Sequence, residues 1–240
     1  MAAPLLQRGA RVAVISPSGV HDPVRLAHGV ALVESWGLAF SMGPHAEARF
    51  RYTAGTVAQR ASDLVWALTD PDVDAVWFTR GGFGTAHLLE SVPWEHLDGR
   101  PVIGFSDATA LFAGMWARGR GTAVHAPVLH SLADHVDSRS RAELRAMLLE
   151  GGPVHLPGAQ VAGPVGRVEG PLVGGNLCVL ASLAGTPFAI SARGCILLLE
   201  EIGERPYKVD RLVTQLHRSG ALDGVRGVAL GQFIAPRNDA

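Results

Sequence analysis

Short apolar runs alternate with stretches of three-and-four spacing along the first half of the chain. Arg11 to Ile15 reads as a buried strand ending in Ser16-Pro17-Ser18-Gly19, and from Pro23 to Trp36 the residues Leu26, Val30 and Val33 fall on one side of a helix before Gly37. Thr56 is a good N-cap for a second helix, whose Ala61, Leu64, Val65 and Leu68 make one apolar face and which Asp70-Pro71 stops. A strand over Ala75 to Thr79, the loop Arg80-Gly81-Gly82-Phe83-Gly84 and a short helix to Ser91 follow. Next come a strand over Val102 to Phe105 and a helix from Asp107 to about Arg118. The alternation predicts an α/β fold, with a mainly parallel sheet flanked by helices.

Beyond His125 the pattern loosens. Asp134 to Arg145 is polar, and Gly151 to Gly170 is rich in glycine and proline with little periodicity. We therefore expect an N-terminal α/β domain over 1–128, a linker over 129–168 and a smaller mixed α/β domain over 169–240. In that last part Gly175 to Ala184 reads as a helix, Cys195 to Leu199 as a strand, Val209 to Leu216 as a helix and Val225 to Leu230 as a strand. Only a few residues separate that strand from Asn238-Asp239-Ala240, so no covering helix is expected there.

Composition narrows the function classes. The 48% hydrophobic content supplies a core, and 21 Lys and Arg against 22 Asp and Glu leave a formal charge of -1, without a general pull toward nucleic acid or anionic membrane. Cys178 and Cys195 suit neither a disulfide framework nor a zinc pair. The N-terminus runs from a short apolar patch through arginine into a strand without a signal-peptide core, and no apolar run is long enough for a bilayer. A cytoplasmic location is the expectation.

Three segments carry candidate chemistry. In PVIGFSDATAL, from Pro101 to Leu111, an apolar run ends in glycine, serine and aspartate before a helical pattern begins. A serine on such a strand-to-helix turn is pushed out of the backbone, and the amide of Asp107 points at whatever its hydroxyl attacks. The same residues also suit an ordinary N-cap, and the run lacks the final glycine of the commoner G-x-S-x-G elbow. The RGGFG loop offers closely approaching amides for a phosphate or an oxyanion, or is simply a tight turn with a surface arginine. As a dinucleotide fingerprint it fails, because His87 stands where the third glycine belongs. In CILLLEEIGERPYKVDR, Glu200 and Glu201 close a strand and either project into a cleft or join solvated ion pairs. His125, His130 and His135 lack H-E-x-x-H spacing, so no metal site is expected.

Taken in order, VAVISPSG, RGGFG, GFSDATAL, GPLVGGNLCVLASLAGTPF and LLLEEIGERPYKVDRLVTQL resemble the LD-carboxypeptidase family of serine peptidases over essentially the whole chain. This family includes murein tetrapeptide carboxypeptidases and microcin C immunity peptidases. The resemblance implies a cofactor-free hydrolase with its site between two domains. By position Ser106 matches the nucleophile and Glu200 the acid that orients a histidine, while Glu201 sits where many relatives have aspartate. The amides of Asp107 and of Gly81 or Gly82 match the oxyanion hole, and Arg80 and Asn176 the substrate pocket. The implied reaction cleaves the bond between the L-centre of a diamino acid and a terminal D-alanine in murein tetrapeptides, in cell-wall recycling, by a homodimer.

The family's histidine lies beyond the strand that ends here near Leu230, in a glycine-rich segment with no counterpart in this sequence. The expectation is thus an incomplete C-terminal domain and compromised activity, since loss of such a base costs on the order of a million-fold. His217 and His125 are the candidates for replacing it. The alternatives are a hydrolase of peptidyl or aminoacyl nucleotides, with Trp94 and Trp116 as walls for a base, and a non-catalytic peptide-binding relative.

Overall fold

The computed structural model describes residues 3–236. Asn238 to Ala240, on which the expectation about a covering helix rests, lie outside them. Five strands, β1 (Arg11–Ile15), β2 (Ala39–Met42), β3 (Ala75–Phe78), β4 (Pro101–Gly104) and β5 (Thr122–His125), form a parallel sheet in the order β2-β1-β3-β4-β5. Every residue of β3 and β4 is buried, which is why these strands read as unbroken apolar runs. The order reverses direction between β1 and β3, so the loops after those strands diverge and leave a crevice at the carboxyl ends of the sheet.

Local chemistry sets the helix ends. Asp22 caps α1 (Pro23–Glu34) by accepting from the amides of Val24 and Arg25, with Pro23 in the first turn. Thr56 and Gln59 form a reciprocal capping box on α2 (Val57–Thr69). After β4 a 3-10 turn over Ser106–Ala108 leads into α3 (Thr109–Arg118), which Gly119 ends in the left-handed conformation. The short helix expected before Ser91 is a 3-10 helix, Thr85–Ser91.

The stretch read as a linker over 129–168 differs in its first half. Residues Leu129–His135 and Ser138–Leu149 are helices α4 and α5, and their Leu129, Leu132, Leu144 and Leu148 are buried in the core beneath the first sheet. The polar surface of α5 hid an apolar stripe of few residues. Irregular backbone is confined to about 150–171.

A second sheet follows, with β6 (Leu172–Asn176), β7 (Ile196–Ile202) and β8 (Gly227–Ile234) parallel in the order β6-β7-β8. Residues 172–176 are thus a strand, and the helix read from Gly175 begins only at Leu177 as α6 (Leu177–Ser182). Helix α7 (Pro206–Arg218) connects β7 to β8. The two sheets share one core, in which Ile15, Phe78 and Leu111 belong to the same packed cluster as Val173, Leu177 and Leu180. At the seam the Asn176 amide donates to Thr109 Oγ1 at 3.0 Å.

Candidate active site

Ser106 stands at the crevice, where β4 gives way to helix. Phe105 is still extended, and Ser106 then takes φ 60°, a left-handed conformation shared among the described non-glycine residues only by Arg51. That backbone costs a β-carbon-bearing residue of order 1 kcal/mol or more, and it lifts the hydroxyl out of the turn. No side-chain cap is made at this helix start by Ser106 or Asp107, so the capping explanation for the motif does not apply.

The RGGFG loop lies directly against the serine. A β-carbon on Gly81 would fall 2.9 Å from Ser106 Cβ, and one on Gly82, whose φ is 123°, 3.1 Å from the amide nitrogen of Gly19. Glycine is required at both places by close approach. Among the described residues no acceptor takes up the N–H of Gly81 or Gly82. Arg80, at the base of the loop, is exposed and donates to the Val20 carbonyl.

Below the serine lies a buried polar network that sequence reasoning missed. The Asp107 carboxylate, 1% exposed, accepts from Ser18 Oγ at 2.6 Å and from the Thr85 amide at 2.8 Å. It thereby ties together the loops that follow β1, β3 and β4. Arg60, also buried, donates to the carbonyls of Pro17, Gly84 and Gly55. Burial lowers the Arg60 pKa, and the nearby Asp107 charge works in the opposite direction. A signal was present, because Arg60 sits four and eight residues before Leu64 and Leu68, on the buried face of α2.

On the other sheet, Glu200 sits beside a register irregularity between Leu199 and Glu201, and Leu199, Glu200 and Glu201 are buried in succession. Glu200 is 6% exposed and its Oε1 has no hydrogen-bond partner. Burial first, and the Glu201 carboxylate second, push its pKa up to about 7, while the Asn176 amide acts the other way. Glu201 has a different task. It accepts from the amides of Cys178 and Ile202 and from Asn176 Nδ2, and so anchors the start of α6. Asn176 Oδ1 caps that helix through Val179 N, so both ends of this side chain are engaged within the fold.

The histidines proposed as substitutes are placed differently. His217 is exposed in the last turn of α7. His125 ends β5, with its ring 5.0 Å from that of Phe105, its Nδ1 buried without a partner, and its pKa pushed down to about 4 by burial. It is a neutral imidazole at pH 7. Among the described residues no histidine is hydrogen-bonded to Ser106 or Glu200, and no group of three or more histidine, cysteine or acidic side chains is placed to hold a metal. Trp94 is buried against Phe188, and the Trp116 indole donates to the Ser191 carbonyl. Burial removes Trp94 as a wall for a base, whereas Trp116 keeps an exposed face.

Residues 12–126 match the LD-carboxypeptidase N-terminal domain and residues 169–240 the LD-carboxypeptidase C-terminal domain. The chain is similar to a murein tetrapeptide carboxypeptidase of Pseudomonas aeruginosa, 38% identical over 242 residues that take in 95% of this chain and 78% of the relative. Among solved structures it resembles the muramoyltetrapeptide carboxypeptidase from Oxalobacter formigenes, with a TM-score of 0.83 and 28% identity over 96% of this chain and 79% of that one. It shares its fold with the microcin C7 self immunity protein MccF, at a TM-score of 0.84 and 23% identity over 100% of this chain and 83% of that one.

Proposed function

The chain belongs to the LD-carboxypeptidase family, and we propose that it is a serine peptidase that releases the terminal D-alanine of murein tetrapeptides from the L-centre of the preceding diamino acid. The observation that carries this reading is Ser106, a nucleophile-type residue in left-handed backbone with the glycine loop pressed against it. Its Oγ attacks the scissile carbonyl. The amides of Asp107 and of the Gly81-Gly82 pair receive the negative charge that develops on the carbonyl oxygen, collapse of the tetrahedral adduct expels the amine of D-alanine, and water then attacks the acyl-serine ester to release the shortened peptide and restore the hydroxyl.

A base must take the serine proton and return it to that amine. The buried, unpartnered Oε1 of Glu200 is an acceptor suited to hold the N–H of an imidazole in this role. With a pKa near neutrality the Glu200 carboxyl ionises readily when a cation forms beside it. Arg80 supplies positive charge at the rim for a peptide carboxylate, and Asn176 contributes by holding the start of α6 beside the pocket. The reaction fits cytoplasmic recycling of murein peptides by a homodimer.

The test is release of D-alanine from a murein tetrapeptide, followed by chromatography. Ser106→Ala is expected to abolish it, and release that survives this substitution overturns the assignment. One observation favours a second reading, peptide binding without turnover: the described residues place no histidine on Ser106 or Glu200. Calorimetric binding of the tetrapeptide by the intact chain, with no D-alanine formed, would select it.

A further inference from the structure

A cavity that takes in no part of the serine motif opens between the two sheets. It has a volume of about 740 Å³ and runs along β5, the last turns of α3 and the first three residues of β6, and neither Ser106 nor Glu200 lines it. Among the described residues β5 and β6 are each the edge strand of their sheet, so no neighbouring strand takes up the space beside them. Phe112, Met115, Val124, Val173, Ile190 and Leu198 make its walls. Trp116, Val154, Leu156 and Leu172 also line it yet are 37%, 45%, 78% and 64% exposed, which places them round its mouth. A single exposed apolar side chain is ordinary, but four round one opening form a patch that a ligand would cover.

Polar groups on this lining are few. Arg120 is its one charged side chain and is paired with Glu95 at 3.4 Å, while Thr122 is half-exposed. His125 remains, an imidazole neutral at pH 7, with Nδ1 buried and unpartnered. Buried polar atoms in native proteins almost always have a partner, so this one marks the place for a single hydrogen bond. We propose that the cavity binds an aliphatic molecule of medium chain length with one uncharged hydrogen-bonding head, the chain against the apolar walls and the head on His125 Nδ1. Apolar walls with one convergent polar atom, in a volume of this order, are the composition of small-molecule sites. A hydroxyl suits the head, because it donates or accepts as the imidazole tautomer requires. A carboxylate does not, because inside the cavity its charge would lose water and gain no cation, Arg120 being held by Glu95. The site is independent of the peptidase reading.

The experiment titrates the intact chain by calorimetry with 1-hexanol, 1-octanol and octanoate. Affinity is expected to rise about fourfold per methylene from hexanol to octanol, with octanoate about tenfold weaker than octanol. Tryptophan emission should shift on binding, and Trp116→Phe should remove the shift. Ala123→Phe, at an exposed position of β5 that also lines the cavity, should weaken octanol about tenfold and leave the thermal melt unchanged. His125→Phe keeps a ring of similar size and should cost octanol about fivefold while preserving the gain per methylene. A flat response to chain length, an emission shift that survives Trp116→Phe, or equal octanol affinity in Ala123→Phe would overturn the site. Octanoate binding more tightly than octanol, or an unaltered affinity in His125→Phe, would overturn the assignment of the head. Should His125→Phe fail to fold, Ala123→Phe and Trp116→Phe still decide.

Discussion

At the scale of single residues, the site depends on two carboxylates whose environments set opposite behaviour. The Asp107 carboxylate is satisfied by Ser18 and Thr85 and lies near the Arg60 charge. Asp107→Ala leaves two buried donors and a buried cation without it, and is expected to destabilise the fold by about 3 kcal/mol, whereas Asp107→Asn, which keeps an acceptor, should lose about 1 kcal/mol. Urea denaturation of both variants measures the difference, and equal losses would refute the role of the acceptor. Glu200 carries an unpartnered oxygen and a pKa raised from 4.5 to about 7. The folded state therefore holds a proton that the unfolded state has released between those values, so its contribution is complete below 4.5 and is lost as pH rises through about 7. Glu200→Gln should flatten the decline, gaining stability over the unaltered chain at pH 8 but not at pH 4, as read from paired thermal melts. A parallel decline in both proteins would exclude Glu200 as its source. Ser106 and Glu200 are singled out by local motifs and by the family resemblance that those motifs carry. The Asp107 carboxylate and Arg60 act across sequence separations of 89, 24 and 43 residues, which no local pattern encodes.

Elements translate those residues into position. Arg60 lies in the second turn from the start of α2, and the Thr56–Gln59 capping box fixes where that helix begins. Thr56→Ala should cost about 1 kcal/mol of stability. It should also lower the rate at which Ser106 reacts with an acylating or phosphonylating reagent, because Arg60 grips the Pro17 and Gly84 carbonyls that flank the glycine loop. Mass spectrometry of the modified serine over time tests the second effect, and an unchanged rate would confine the box to stability. Strands β1, β3 and β4, and helices α1 and α2, were readable from periodicity and end signals alone. Helices α4 and α5 were not, because a few buried leucines per helix are diluted by polar neighbours. Strand β6 was hidden for another reason. Its Gly174 and Gly175 have φ values of 122° and 141°, and β-carbons there would strike the Leu198 carbonyl and the Thr109 side chain, so packing across the seam decides its course.

For the whole molecule, the question is whether the two sheets fold as one unit. All five tryptophans, Trp36, Trp66, Trp77, Trp94 and Trp116, lie in the part of the chain that forms the first sheet and its helices. Yet the core is continuous: Leu177 of α6 is completely buried in the cluster that includes Phe78 and Leu111, Trp94 packs on Phe188, and the Trp116 indole bonds to the Ser191 carbonyl. Leu177→Ala removes buried methyl groups from that shared cluster and should cost about 3 kcal/mol, with a fall in Tm of roughly 10 °C. Because the units share a core, the tryptophan fluorescence transition should move down together with the far-ultraviolet circular dichroism transition, although the substitution lies far along the chain from every tryptophan. If the sheets were independent, the circular dichroism signal would split while the fluorescence midpoint stayed in place. Coincident shifts would mean that the serine carried by one sheet and the glutamate carried by the other are held together by a single cooperative core, so that a change in either half disturbs the geometry of both.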